Sequence, residues 1–197
     1  MAKKCDILYI HSGRNPMTSE SIKYGIIPMG IISILNQIRD TGVNVYGINL
    51  ALEFSINPQF DLESVFKDIE YKILMTDLHW YEHSFGALYI VEQSKKFHPN
   101  IPTVIGGYTS TIYGNTGDSD LPMAMLTDYL LNRNDVKITS IPNLIRREND
   151  TIITSEEKWV QTTLEDLDCV RTDFFEHSEQ LPFLCTGGGF RKSGAQW

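Results

Sequence analysis

Cysteine is scarce and scattered: Cys5, Cys169 and Cys185 are the three thiols of the chain. They form neither a disulfide framework nor a metal-binding spacing. Positive charge is also in short supply, with 17 Lys and Arg against 25 Asp and Glu, a net charge of -8 and an isoelectric point near 5.1. Such a balance argues against a surface that holds nucleic acid by neutralising phosphates. The pairs Lys95-Lys96 and Arg146-Arg147 are short and read as solvated faces. Long hydrophobic runs are missing as well. The longest, "GIIPMGIISIL", contains Pro28 and two glycines and falls short of a membrane span. At the N-terminus, Asp6 interrupts an apolar stretch too short for a signal sequence, so a cytoplasmic location without membrane attachment is expected. No Gly-x-Gly-x-x-Gly follows the first apolar run, where "HSGRNP" stands instead, and no Gly-x4-Gly-Lys-Ser/Thr occurs. Dinucleotide binding and nucleoside-triphosphate hydrolysis lose their main support.

What the chain does contain is the pattern of an α/β protein. Its 197 residues, 42% hydrophobic and 21% charged, suit one main domain with an appendage. "CDILYI" reads as a buried strand, "NVYGINL" as a second, "YKILMT" as a third and "PTVIGG" as a fourth. Between them, helices are expected over Met29 to Asp40 with Gly42 closing it, over "FDLESVFKDIE" with Asp61 as N-cap, and over "SFGALYIVEQSKKFHP" opened by Ser84. Alternation at this spacing favours a parallel sheet wrapped by helices.

In such a sheet ligands sit at the carboxyl ends of the strands, near the point where strand order reverses. That rule gathers "HSGRNPMTS", "TDLHWYE", "GGYTST" and "GDSD" at one edge. The loop after the first strand, His11 to about Ile27, is long enough to mark a ligand-facing segment. Only "YTSTIYGNTG" separates Gly107 from the next helix, which Asp118 or Ser119 would cap, and no fifth strand with its crossover fits there. Either the sheet ends early or a stretch is lacking between Gly114 and Gly117. Beyond residue 140 the character changes. "NLIRRENDTIITSE" reads as a hairpin turning at "END", "TTLEDLDCVRTDFF" as an irregular or one-turn-helical strap and "FLCTGGGFRKSGAQW" as a linker or a severed edge. The expected division is a binding domain over 1–140 and a hairpin with linker over 141–197.

Several side chains have both a chemical and a plain structural reading. Gly106 and Gly107 let a flat ring or phosphate approach the backbone, or simply make a turn. His79 and His83, four apart with Glu82 between, resemble a metal pair. If Ser84 caps the helix, however, both lie in a loop without a third ligand, and a polar rim of hydrogen-bonded histidines is the better expectation. No metal ligand and no catalytic residue is assigned. Trp80 and Tyr81 serve either as packing or as an apolar wall for a planar ligand, and both readings stay open.

The order of "PMG", "DLHW", "GGYTST" and "GDS" elements, followed by "IPNLIRRENDTIIT" and "LEDLD", resembles the N-terminal cobalamin-binding domain of cobalamin-dependent radical S-adenosylmethionine enzymes. The resemblance covers nearly the whole chain. It implies a flavodoxin-like (Rossmann-like) doubly wound sheet that grips a corrin at its carboxyl edge and buries the nucleotide tail between sheet and helices, and a metal-binding role through the cobalt. By position, the corrin contacts would come from Ser12, Gly13, Asp77, His79, Trp80, Gly106, Gly107, Thr109, Ser110, Gly117 and Asp118. "DLHWYE" resembles the Asp-x-His-x-x-Gly motif of methionine synthase and the mutases, but it follows the third strand and ends in Glu82, so His79 is not assigned as a cobalt ligand. Trp80 would face the metal instead.

A complete family member also binds S-adenosylmethionine and an iron–sulfur cluster and performs methyl transfer or rearrangement. Here the Cys-x3-Cys-x2-Cys that would hold the cluster is absent, and only Cys185 stands near its place. The chain alone is therefore expected to bind cobalamin without catalysing, partnered by a radical S-adenosylmethionine domain or subunit. The rival expectation is a flavodoxin-like regulatory or interaction module without corrin.

Overall fold

The computed structural model of the chain describes residues 3–12, 27–78, 83–107, 118–163 and 167–181. Four parallel strands make the main sheet: β2 (Ile7–His11), β3 (Val45–Asn49), β5 (Ile73–Asp77) and β6 (Thr103–Gly106), in the order β3-β2-β5-β6. A two-residue parallel pair, β1 (Lys3–Lys4) with β4 (Ile69–Glu70), stands apart from that sheet. Register is set by Ile7, which pairs with Val45 on one side and Ile73 on the other. Strands β2 and β5 are buried along their whole length, which is why "ILYI" and "ILMT" read as continuous apolar runs rather than alternating ones.

The period of two still sorts their side chains between two cores. Ile7, Tyr9, Ile73 and Met75 pack with Ile32, Leu35 and Ile38 of α1 (Met29–Asp40). Leu8, Ile10 and Leu74 pack with Leu62, Val65 and Phe66 of α3 (Leu62–Asp68) and Ile90 of α4 (Ser84–Phe97). Both faces are thus covered, as a doubly wound flavodoxin- or Rossmann-like sheet requires. Among the described residues no fifth strand joins, and β6 is an edge whose Ile105 is 40% exposed.

Three local expectations change. The second strand stops at Asn49, and α2 (Leu50–Ile56) starts at once because the Asn49 side-chain oxygen accepts hydrogen bonds from the backbone N–H of Ala51 and Leu52. Helix α3 is capped by Asp61 as expected but ends at Asp68, freeing Ile69 and Glu70 for β4. Ser84 is the first residue of α4 rather than its cap; His83 holds that position, already in helical backbone geometry. The next helix, α5 (Asp120–Leu130), follows Ser119, which makes no side-chain cap hydrogen bond.

Beyond α5, β7 (Ile145–Glu148) and β8 (Thr151–Thr154) form the expected antiparallel hairpin. Its two turn residues, Asn149 and Asp150, have φ of 46° and 65°, the left-handed pair that a type I′ turn demands. Glycine takes that geometry without a Cβ penalty. Asp150→Gly is expected to stabilise the hairpin by about 0.5 kcal/mol, read as slower amide exchange across β7 and β8.

The segment 167–181 is a strap. Phe174 and Phe175 are buried on β3, where Gly47 N–H donates to the Phe174 carbonyl and Glu176 N–H donates to the Gly47 carbonyl, both at 2.8 Å. The Asn36 amide of α1 donates to the carbonyls of Asp168 and Arg171, each at 2.9 Å.

Candidate functional site

The strand order reverses between β2 and β5, since β3 lies outside one and β6 outside the other. At the carboxyl ends of those two strands stand His11 and Asp77, both wholly buried. His11 Nδ1–H donates to Asp77 Oδ1 at 2.8 Å, and the Tyr9 hydroxyl donates to the same oxygen at 2.8 Å. Tyr9 and His11 can share one acceptor because residues two apart on a strand face the same side. Thr76 Oγ1 donates to the Ile10 carbonyl at 2.8 Å and locks the two strand ends together. Ser12 Oγ donates to the carbonyl of Asp77 at 3.1 Å and to that of His83 at 3.5 Å. His83 is buried too, with its ring 5.3 Å from that of His11 and nearly perpendicular to it.

Burial alone would raise the Asp77 carboxyl, but the adjoining His11 ring and the hydrogen bonds from His11 and Tyr9 outweigh it and hold the group below its ordinary value. Burial, then the Asp77 charge, push the Tyr9 hydroxyl well above its own. With Nδ1–H engaged, His11 Nε2 and Asp77 Oδ2 remain buried with no hydrogen-bond partner among the described residues. A buried polar atom without a partner costs about 1–3 kcal/mol, so these two mark a place where a further group would be accepted.

Beside this cluster, β6 ends at Gly106 and Gly107 follows it. Gly107 has φ of 107°, a backbone conformation reserved for glycine. Behind the glycines lies a cavity of about 50 Å³ lined by Tyr9, Met75, Val104, Gly106, Ser119 and Met123 among others. Leu78 N–H donates to the Gly106 carbonyl at 2.7 Å, tying the exit of β5 to the end of β6.

Of the residues expected at the edge, Ser12 and Asp77 come together in the buried cluster, while Gly106 and Gly107 line the neighbouring cavity. Asp118 precedes α5 and faces the C-terminal part, its carboxylate accepting from Gln161 N–H at 2.7 Å and its carbonyl accepting from the Asn143 amide at 2.9 Å. Gly13, His79, Trp80, Thr109, Ser110 and Gly117 lie outside the described residues. Composition and spacing do not single out Tyr9 and His11 as site residues, and they pair His83 with His79. The available signal was a Tyr-x-His ending the first strand opposite an Asp ending the third, both at the switch point.

No protein-family profile matches the chain, and no curated protein matches it. Among solved structures it is similar to the radical S-adenosylmethionine methyltransferase TsrM from Kitasatospora setae, solved with tryptophan substrate and an S-adenosylmethionine analogue. The match has a TM-score of 0.55 at 15% identity and covers 76% of this chain but 29% of that one. At that identity the likeness is one of fold. The fold and the site together define a flavodoxin- or Rossmann-like α/β domain with a buried polar cluster at its switch point. Among the described residues no helix is long and apolar enough to cross a membrane.

Proposed function

We propose that the chain is a cobalamin-binding domain of the radical S-adenosylmethionine type, holding a corrin at the carboxyl edge of its sheet. The observation that carries this reading is the open space at Gly106, where an added Cβ would meet no described atom within 4 Å, next to the rigid His11–Asp77 pair at the switch point. A flat ring can approach backbone there without displacing side chains. The resemblance of the sequence elements and the shared fold with a radical S-adenosylmethionine methyltransferase point the same way.

The contacts would come from the segments around Ser12 and Gly13, Asp77 to Trp80, Gly106 to Ser110, and Gly117 to Asp118. Bound cobalamin would supply methyl-transfer or rearrangement chemistry, in concert with the S-adenosylmethionine and iron–sulfur cluster of a separate barrel. The part of this chain is binding and orientation. Asp77, pinned by Tyr9 and His11, stiffens the edge, and the apolar side chains behind Gly106 and Gly107 keep water from the buried flank.

The test is to load the purified chain with hydroxocobalamin, desalt it and record the absorbance of the protein fraction. Wild type is expected to stay coloured. Gly106→Phe, which fills the open space, is expected to emerge colourless with an unchanged circular-dichroism spectrum. A folded wild type that emerges colourless would overturn the reading and leave the edge as a partner surface.

A further inference from the structure

We infer that His11, Asp77 and His83 form a binding site for one divalent transition-metal ion of the zinc class, held by the protein itself and distinct from any corrin. The inference goes beyond the cobalamin reading and does not depend on it. Three independent features converge on it.

The first is proximity. One potential ligand atom from each of the three residues lies within 4.8 Å of the others, and all three side chains are buried. Ligands about 2.0–2.2 Å from a zinc-class ion stand about 3.3 Å apart in a tetrahedron, so the separations must close by up to ~1.5 Å and His11 must exchange its hydrogen bond to Asp77 for the ion. The second is unspent bonding capacity. His11 Nε2 and Asp77 Oδ2 are buried acceptors with no hydrogen-bond partner among the described residues. A cation placed beside Asp77 Oδ2 supplies that oxygen's missing interaction, and the carboxylate gives the site a negative charge to set against it. Two imidazole nitrogens with one carboxylate select zinc, iron, cobalt or copper over calcium or magnesium, which prefer all-oxygen cages.

The third feature is the surrounding support. Ligating carboxylates are themselves held by hydrogen bonds from an outer layer of residues. Here the Tyr9 hydroxyl donates to Asp77 Oδ1 at 2.8 Å. Ser12 Oγ donates to the backbone carbonyl of Asp77 at 3.1 Å, with the His83 carbonyl at 3.5 Å as a weaker second acceptor of the same proton, so one hydroxyl lies between the two main-chain points from which those ligands depart. The ligands come from the ends of two paired strands and the start of α4, all rigid elements. Three protein ligands leave a fourth position of the ion open, the arrangement seen in catalytic rather than structural zinc centres.

The experiment uses the full chain after chelator treatment, with no cobalamin present in any arm, so its outcome is separate from that of the corrin test. Titration with Co²⁺ is followed by visible absorbance, and Zn²⁺ is then added as competitor. The expected result is saturable uptake of one equivalent, displaced by Zn²⁺, weakened about tenfold or more in Tyr9→Phe and abolished in His83→Ala. Absence of saturable uptake by wild type would overturn the site, as would equal uptake by a folded His83→Ala. Should that variant fail to fold, imidazole nitrogen NMR of wild type decides: Zn²⁺ must shift the resonances of both His11 and His83, and unshifted rings overturn the assignment.

Discussion

Asp77→Ala is expected to destabilise the protein by about 3–5 kcal/mol, the cost of breaking a buried pair by removing one partner. The carboxylate is wholly buried and accepts from both the Tyr9 hydroxyl and His11 Nδ1–H. Its loss strands two donors at the joint between the two central strands. Asp77→Asn keeps one acceptor oxygen for them but sets an amide where the unpartnered Oδ2 stood, so a smaller loss of about 1–3 kcal/mol is expected.

A pH dependence follows from the same geometry. In the folded state the Asp77 carboxyl is held below its ordinary value, because His11 and the two hydrogen bonds outweigh burial. Its contribution is therefore fully present above the unfolded value, about 3.9, and disappears as pH falls through the lower folded value. Urea midpoints between pH 3 and 7 should show wild type losing stability below about pH 4 more steeply than Asp77→Asn. Parallel curves for the two proteins, or an alanine variant within about 1 kcal/mol of wild type, would contradict the buried-pair account.

The second large effect concerns the strap. Phe175→Ala is expected to cost about 3–5 kcal/mol, as for other buried phenylalanines. Its ring is buried, meets Tyr9 edge-on at 5.7 Å and lies against Gly47. Gly47→Ala attacks the same contact from the other side. A Cβ there would stand 2.8 Å from Phe175 Cδ1 and 3.1 Å from Phe174 Cδ2, and the hydrogen bonds between Gly47 and the strap prevent easy retreat. Overpacking of this kind costs about 1–3 kcal/mol. Removing the ring removes the clash, so the double variant should be less destabilised than the sum of the two single variants. Strict additivity in urea unfolding would show that strap and sheet do not meet at this point.

Much of the fold was legible in the chain because its signals are local. The apolar runs at Ile7, Val45 and Ile73 are bounded by turn residues, and α1 repeats its apolar residues at helical spacing. Asp61 announces α3, and Asn149-Asp150 announces the hairpin turn. Helix α2 is not legible in the sequence because "INLALEFSI" continues the apolar run of β3 without a break. Only the side chain of Asn49, turned back onto Ala51 and Leu52, ends the strand and opens the helix. Ser84 imitates a cap in the sequence for a related reason: His83 takes the cap position with backbone geometry alone and no side-chain cap hydrogen bond.

The candidate site was legible as a region and not as a set of partners. The switch-point rule needs only the order of strands and helices, and that order singled out the edge holding Ser12, Asp77, Gly106 and Gly107. Which atoms meet there is a separate matter. His11 and Asp77 are 66 residues apart, and Ser12 and the His83 carbonyl are 71 apart. Nothing in either segment's composition names the other. Pairing of β2 with β5 in one register, Ile10 opposite Thr76, sets the histidine beside the aspartate, and a slip of one residue would turn them to opposite faces. Phe175 likewise finds Gly47 only through the path of the strap. The sequence by itself determined the main strands and helices, their alternation and the edge at which a ligand would sit, because periodicity and capping act within a few residues. The tertiary structure alone decided that Tyr9, His11, Asp77 and His83 share one buried site, because register and burial join residues that local chemistry leaves independent.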